Sequence, residues 1–349
     1  MKVVQLSSHR AACGIAVYTE DLAEALRRKG VETHIINSAV PAQHWGEVMG
    51  RLRALVQGGA DILHVQYETL ISGPWDRLRM MAAEMRGLNP RLRVFVTLHR
   101  TGTDTVNGAQ SIGDVQIIVS QDHTFHDLPN MHIATMGCPV YPERDRVVER
   151  ARLNIPERAL VLSTFGFLVN WKRTNEVVRH LIPHLQADTN LYLQLLCAYN
   201  SFAEPNEGPN IAADIMQAVH HAHVQDRVHL ITDFLSREEV NRRLSMADVG
   251  FLYAPIHTGS TSAANKDFVS ARLPLVLSDS NHHWDIRQGV IRSPGLEVAH
   301  FASHVVAVAR DQELRARLKN EMKELYNTIN WDRSAERHIE LYGKVLVPA

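Results

Sequence analysis

The sequence predicts an α/β fold with two parallel sheets, each covered by helices on both faces. Short apolar runs alternate with helix-period segments along most of the chain, and the alternation starts afresh after a break near residue 140. Length agrees, because 349 residues with 45% hydrophobic side chains can bury two cores.

In the first half, Lys2 to Ser7 reads as a buried strand, followed by a polar loop containing Gly14 and a helix from about Ile15 to Lys29. Ile15, Tyr18, Leu22, Ala25 and Leu26 recur at helical spacing, and Lys29-Gly30 stops the helix. Further strands are expected over 31–37, 61–66, 92–98 and 115–120, with helices near 43–57 and 74–86. Composition changes after Met136-Gly137-Cys138-Pro139, which sets a first domain at 1–140 and a charged connection at 141–158. A second domain spans 159–325, with strands at 159–165, 191–197, 228–231, 249–253 and 275–278. Helices near 173–186, 209–225, 236–246 and 263–271 separate them, and a helical tail over 311–345 is expected, with 326–349 bracing both domains. Two α/β domains favour a substrate cleft between them.

Charge excludes several partners. Lys plus Arg number 37 and Asp plus Glu 38, for a net charge of −1, so nucleic acid is not an expected partner. Cys13, Cys138 and Cys197 show no CxxC or other ligand spacing, and neither His220-His221-Ala222-His223 nor His282-His283 has ligand-spaced company, so no metal is expected. No apolar run approaches the 20 or so residues of a transmembrane helix, and the N-terminal run is too short for a signal-peptide core. The expected location is cytoplasmic, with peripheral membrane contact left open, and the oligomeric state is unreadable.

Four segments carry candidate chemistry. The loop Ser7 to Gly14 precedes a helix start, where free N–H groups favour an anionic oxygen, although a plain structural turn explains Gly14 equally well. His99 emerges at the carboxyl end of the strand Val94 to Leu98, placed either to touch a substrate or to serve as an ordinary loop histidine. Asn170-Trp171-Lys172-Arg173 sets two cations before a helix, suited to a diphosphate, or else a solvated helix start. The loop Pro255 to Asp267 offers Ser260, Thr261 and Ser262 as donors, and Asp267 either binds sugar hydroxyls or caps a helix.

Taken in order, these segments resemble the retaining, nucleotide-sugar-dependent glycosyltransferases of the GT-B fold, in particular the glycogen-synthase-like and mannosyltransferase-like group. Gly14 to Tyr18 looks like that family's N-terminal glycine loop, Thr97-Leu98-His99 like its strand-end histidine, and Phe165 to Arg173 like the opening of its donor domain. Phe234 to Val240 and Ala271 to Ser278 resemble further family segments, so the resemblance spans residues 3–280. Two positions depart from the pattern. Phe167 stands where the family carries an arginine, and of a pair of glutamates eight residues apart the first is Gly259 and the second Asp267.

The resemblance implies two Rossmann-like domains and transfer of a sugar, most often a hexose, from a nucleoside diphosphate sugar to an acceptor hydroxyl, with no cofactor and no metal. It implies that Lys172, Arg173, Gly14, Ser260, Thr261 and Ser262 bind the diphosphate. His99 and Asp267 would contact the donor sugar, and Phe234 and Leu235 the nucleobase. His99, Lys172 and Asp267 are the expected catalytic set, with Arg10 and Lys266 as candidate compensating cations. Two other readings stay open: a catalytically impaired sugar-nucleotide-binding or partner-binding protein, and a nucleotide-sugar epimerase. The acceptor and donor sugar are not legible.

Overall fold

The structure is a computed structural model that describes the whole chain except residues 12, 121–127, 201–202, 256–260 and 347–349. The chain forms two compact units, one built on Met1–Gly137 and Ile329–Ala349, the other on Cys138–His257 and Ser262–Thr328.

The first unit holds β1 (Lys2–Ser7), α1 (Gly14–Arg28), β2 (Glu32–Asn37), α2 (Trp45–Gln57), β3 (Ile62–Tyr67), α3 (Thr69–Ser72), α4 (Trp75–Leu88), β4 (Arg93–Leu98), α5 (Thr103–Gln110), β5 (Val115–Val119) and β6 (Met131–Ile133). Its six parallel strands lie in the order β2-β1-β3-β4-β5-β6. Every residue of β3 is buried, including the polar His64 and Gln66, because the strand lies inside a sheet covered on both faces. Leu6, Val65, Val96 and Ile117 form part of one core, each worth roughly 1.5–3 kcal/mol of apolar burial.

The second unit holds α6 (Arg146–Arg152), β7 (Leu160–Phe167), α7 (Thr174–Ala187), β8 (Leu191–Ala198), α8 (Glu207–His221), β9 (Val228–Ile231), α9 (Arg237–Ser245), β10 (Val249–Leu252), α10 (Ala264–Ser270), β11 (Leu275–Ser278), β12 (Val290–Ser293), α11 (Val298–Arg310) and α12 (Gln312–Thr328). Its sheet is also six-stranded and parallel, in the order β12-β11-β10-β7-β8-β9. Arg150 is buried and ties α6 to the sheet: it donates to the carbonyls of Met246, Glu157 and Ala159 and to the carboxylate of Asp248. Each nitrogen of the buried guanidinium therefore has at least one partner, one of them a carboxylate.

The helical tail expected over 311–345 consists of two helices. The chain stops after α12 and restarts as α13 (Trp331–Leu346), because the Asn330 side chain accepts from the N–H of Arg333 as a helix cap does. α13 belongs to the first unit and packs on α1, where Asp332 and Glu336 pair with Arg28 and Lys29. Gly137 is needed at this packing, since a Cβ there would lie 2.5 Å from the Trp331 backbone. The helices α5 and α11 and the short edge strands β6 and β12 were not expected from the sequence. In α11 the run Val298 to Ala309 is apolar on almost every turn, which hides the helical period. Among the described residues no helix is long and apolar enough to cross a membrane.

Candidate functional site

In the second unit the site is built around Lys172. β7 ends at Phe167, the chain makes one 3-10 turn over Asn170–Lys172, and α7 begins at Thr174, so Lys172 stands at the carboxyl end of the central sheet. Gly166 has φ +139°, and a Cβ there would sit 2.5 Å from Lys172 Nζ, so the bare backbone makes room for the amine. A small recess around it is lined by Thr164, Gly166, Phe167, Lys172, Cys197 and Tyr253. The ammonium lies 5.5 Å from the Trp171 ring centroid, and among the described residues no carboxylate pairs with it. Burial pulls its pKa below the ordinary lysine value, while the neighbouring Cys197, itself pushed up to about 12 by burial, works the other way. A partly desolvated, unpaired cation is the arrangement an incoming anion stabilises most.

The other cations of the region are already committed. Arg173, with φ +49°, donates from Nε to Glu176 at 2.7 Å, a contact that raises its own pKa and lowers that of Glu176. Lys266 is fully buried, and its ammonium is held by Asp285, which also accepts from Asn265 at 3.2 Å. Asn265 in turn meets His283 Nδ1 at 3.2 Å, and burial drives that imidazole well below its ordinary range. Arg237 Nε lies 3.2 Å from Asp267 Oδ1. Asp267 is 7% exposed, so desolvation raises its pKa and Arg237 opposes the rise.

Phe167 and Phe234 stack with centroids 6.1 Å apart and 17° between planes, Phe234 being half exposed and Leu235 half-buried. Ser262 is buried and spends its N–H on the carbonyl of His282, whereas the Thr261 hydroxyl has no hydrogen-bond partner. Ser260 and Gly259 lie outside the described residues. The structure thus brings Lys172 and Phe167 to one recess, with Phe234 stacked on Phe167 and Arg173 next in the chain, and places Asp267 and Lys266 in a separate buried polar cluster on α10.

In the first unit, Gly14 opens α1, and a Cβ added to it meets nothing within 4 Å. Arg10 has φ +54°, its N–H donating to Glu20 Oε1 at 3.0 Å, and it lines an open groove of about 630 Å³ together with Glu20, Arg27, His34 and Arg51. His99 is half-buried at the end of β4, with Nε2 3.0 Å from Gln66 Oε1 and the Tyr18 ring edge-on at 5.0 Å. Tyr18 also meets the Trp331 ring edge-on at 5.2 Å.

Sequence reasoning missed the polar layer that supports His99. Gln5, His64, Gln66 and Thr97 are buried in otherwise apolar strands, and the pairings Gln5–His64 and Gln66–Thr97 put them on one face of the sheet. His64 bridges Tyr342 Oη at 2.6 Å and Thr97 Oγ1 at 2.7 Å, and His338 Nδ1 lies 2.7 Å from the Ser334 carbonyl. The readable signal was polar residues two apart within apolar strands, at 64 and 66 and again at 97 and 99.

Burial lowers His99 and His338 from 6.5 to about 4, and His64 falls well below 6.5 for the same reason. Between those values the unfolded chain binds more protons than the folded one. The stability tied to these rings is therefore complete above about pH 6.5 and is lost as pH falls toward 4. Denaturant unfolding followed by tryptophan fluorescence between pH 7 and 4 is expected to show a steep loss, shallower in His338→Gln; equal slopes would contradict it.

No family model and no curated protein matches the chain. Solved structures do. Anabaena HepE, crystallised with UDP and glucose, superposes with a TM-score of 0.74 at 11% identity over 98% of this chain and 99% of that one. A glycosyltransferase from Rickettsia africae gives 0.72 at 9% identity, covering 100% and 99%. Sucrose-phosphate synthase from Thermosynechococcus elongatus gives 0.72 at 14%, covering 99% of each chain. The chain has the GT-B fold. Both units are the parallel-sheet, Rossmann-like domains of GT-B, and Lys172 sits where open α/β sheets bind ligands, at the carboxyl ends of their strands. Among the described residues, no group of three or more His, Cys, Asp or Glu is placed to hold a metal ion.

Proposed function

We propose that the chain is a retaining glycosyltransferase that moves a sugar from a nucleoside diphosphate sugar to an acceptor hydroxyl. The observation that carries this reading is Lys172, an unpaired and partly desolvated ammonium held over Gly166 at the sheet's carboxyl end. It suits a diphosphate, whose negative charge grows as the bond from sugar C1 to phosphate oxygen breaks. The acceptor oxygen attacks from the departing face, and its proton passes to the leaving diphosphate oxygen, so no enzyme nucleophile and no metal is called for.

Arg173 adds a second, weaker cation, since Glu176 already shares it. Asp267 binds sugar hydroxyls with the oxygen that Arg237 does not hold, while Phe234 and Leu235 border the nucleobase. Gly14 leaves the start of α1 open to an anionic oxygen, Thr261 offers a free hydroxyl, and His99 offers an imidazole nitrogen to a sugar hydroxyl. Ser260 and the Ser262 side chain complete the proposed donor contacts. Lys266, committed to Asp285, acts by holding α10 rather than by meeting phosphate. That Anabaena HepE was crystallised with UDP and glucose supports a uridine nucleotide as the first donor to try.

The test is a mass-spectrometric panel of UDP-, GDP-, ADP- and TDP-sugars with the purified full chain. One selective donor, slowly hydrolysed to its diphosphate, is the expected result. Binding of no member would overturn the reading. Selective binding without any turnover would favour a binding-only protein instead, the reading to which Phe167 lends weight by placing an apolar ring beside Lys172.

A further inference from the structure

We infer that Gln66 is a positioning residue that fixes His99 as its Nε2–H tautomer and leaves Nδ1 as the open hydrogen-bond acceptor. The argument follows the direction of the hydrogen bonds. Gln66 Nε2 donates to Gln5 Oε1 at 2.8 Å, so the amide's nitrogen end is spent inside the sheet. Its other end, Oε1, is a pure acceptor and lies 3.0 Å from His99 Nε2. His99 must supply the proton of that bond. A neutral imidazole carries one N–H, so Nδ1 keeps its lone pair.

Geometry holds the arrangement in place. Gln5 and Gln66 are fully buried, on neighbouring strands whose register sets Gln5 opposite His64, two residues before Gln66. Turning the Gln66 amide alone would set two carbonyl oxygens against each other, so the direction reverses only if Gln5 turns with it, and a protonated Nδ1 is the spectroscopic signature of that reversal. The Tyr18 ring stands edge-on to the imidazole and restricts its rotation. Among the described residues none hydrogen-bonds His99 Nδ1. Resting on the proposed transferase reading, this makes His99 an acceptor from a sugar hydroxyl and rules it out as the acid that protonates the leaving group.

The test reads the tautomer and not the reaction. Long-range proton–nitrogen NMR spectra of the ¹⁵N-labelled full chain at pH 7, with the His99 signals identified by their loss in His99→Gln, are expected to show a protonated Nε2 and a bare Nδ1. In Gln66→Leu the acceptor is gone, and the single tautomer is expected to give way to a mixture. Gln66→Glu keeps an acceptor toward His99, and Gln5, whose Nε2 is buried without a partner, can turn its amide to donate to it, so Nε2–H is expected to persist. A protonated Nδ1 in the wild type would overturn the inference. So would an unchanged single tautomer in Gln66→Leu that melts cooperatively. Failure of the transferase reading shows instead in the donor panel and leaves this spectrum unaffected.

Discussion

On the proposed transferase reading, Lys172→Ala is expected to lower turnover of the preferred donor by about 10²–10³-fold, the usual cost of removing one preorganised group from a developing negative charge. The expectation follows from how the side chain is held. Gly166 has no Cβ to displace the amine, no carboxylate among the described residues competes for it, and burial keeps water from screening it. The same features set the sign of the stability change. An unpaired ammonium costs the folded state, so the variant unfolds at the wild-type denaturant midpoint or above it. Steady-state kinetics and denaturant unfolding on the same preparations separate the two effects; a loss of turnover that scales with a loss of stability would deny Lys172 its role.

The largest expected effect on stability is at Asp285. Lys266 is fully buried and Asp285 nearly so, with Asn265 and His283 completing the cluster. Asp285→Ala strands the Lys266 charge in the core and is expected to cost about 3–5 kcal/mol. Replacing both partners with apolar residues, as Lys266→Met with Asp285→Leu, removes the stranded charge and is expected to recover most of that loss. Urea unfolding of the two variants checks this. A double variant no more stable than Asp285→Ala would show that the pair does more than neutralise itself. Because α10 also carries Asp267, the proposed donor-site role of that residue predicts weaker donor binding in the single variant as well.

Much of this was legible in the sequence because it rests on local periodicity. Strands such as Val228–Ile231 and Leu275–Ser278 and helices such as Arg237–Ser245 are short blocks whose pattern and turn residues mark their ends. The carboxyl-end positions of His99 and Lys172 follow from strand prediction alone. Partnership was not legible. That Lys266 would spend its charge on Asp285 and that Ser262 would give its N–H to His282 depend on chain segments that meet only in the fold. The exact start of α13 is set by one asparagine, Asn330, whose side chain caps the helix that follows it.

The central claim is that Lys172 marks a nucleoside diphosphate site. Calorimetric titration of the diphosphate released by the preferred donor into wild-type and Lys172→Ala protein tests it most directly. The account predicts saturable binding to the wild type that weakens at least tenfold in the variant, a difference of about 1.4 kcal/mol or more. Equal affinity in the two proteins would place the diphosphate elsewhere and contradict it.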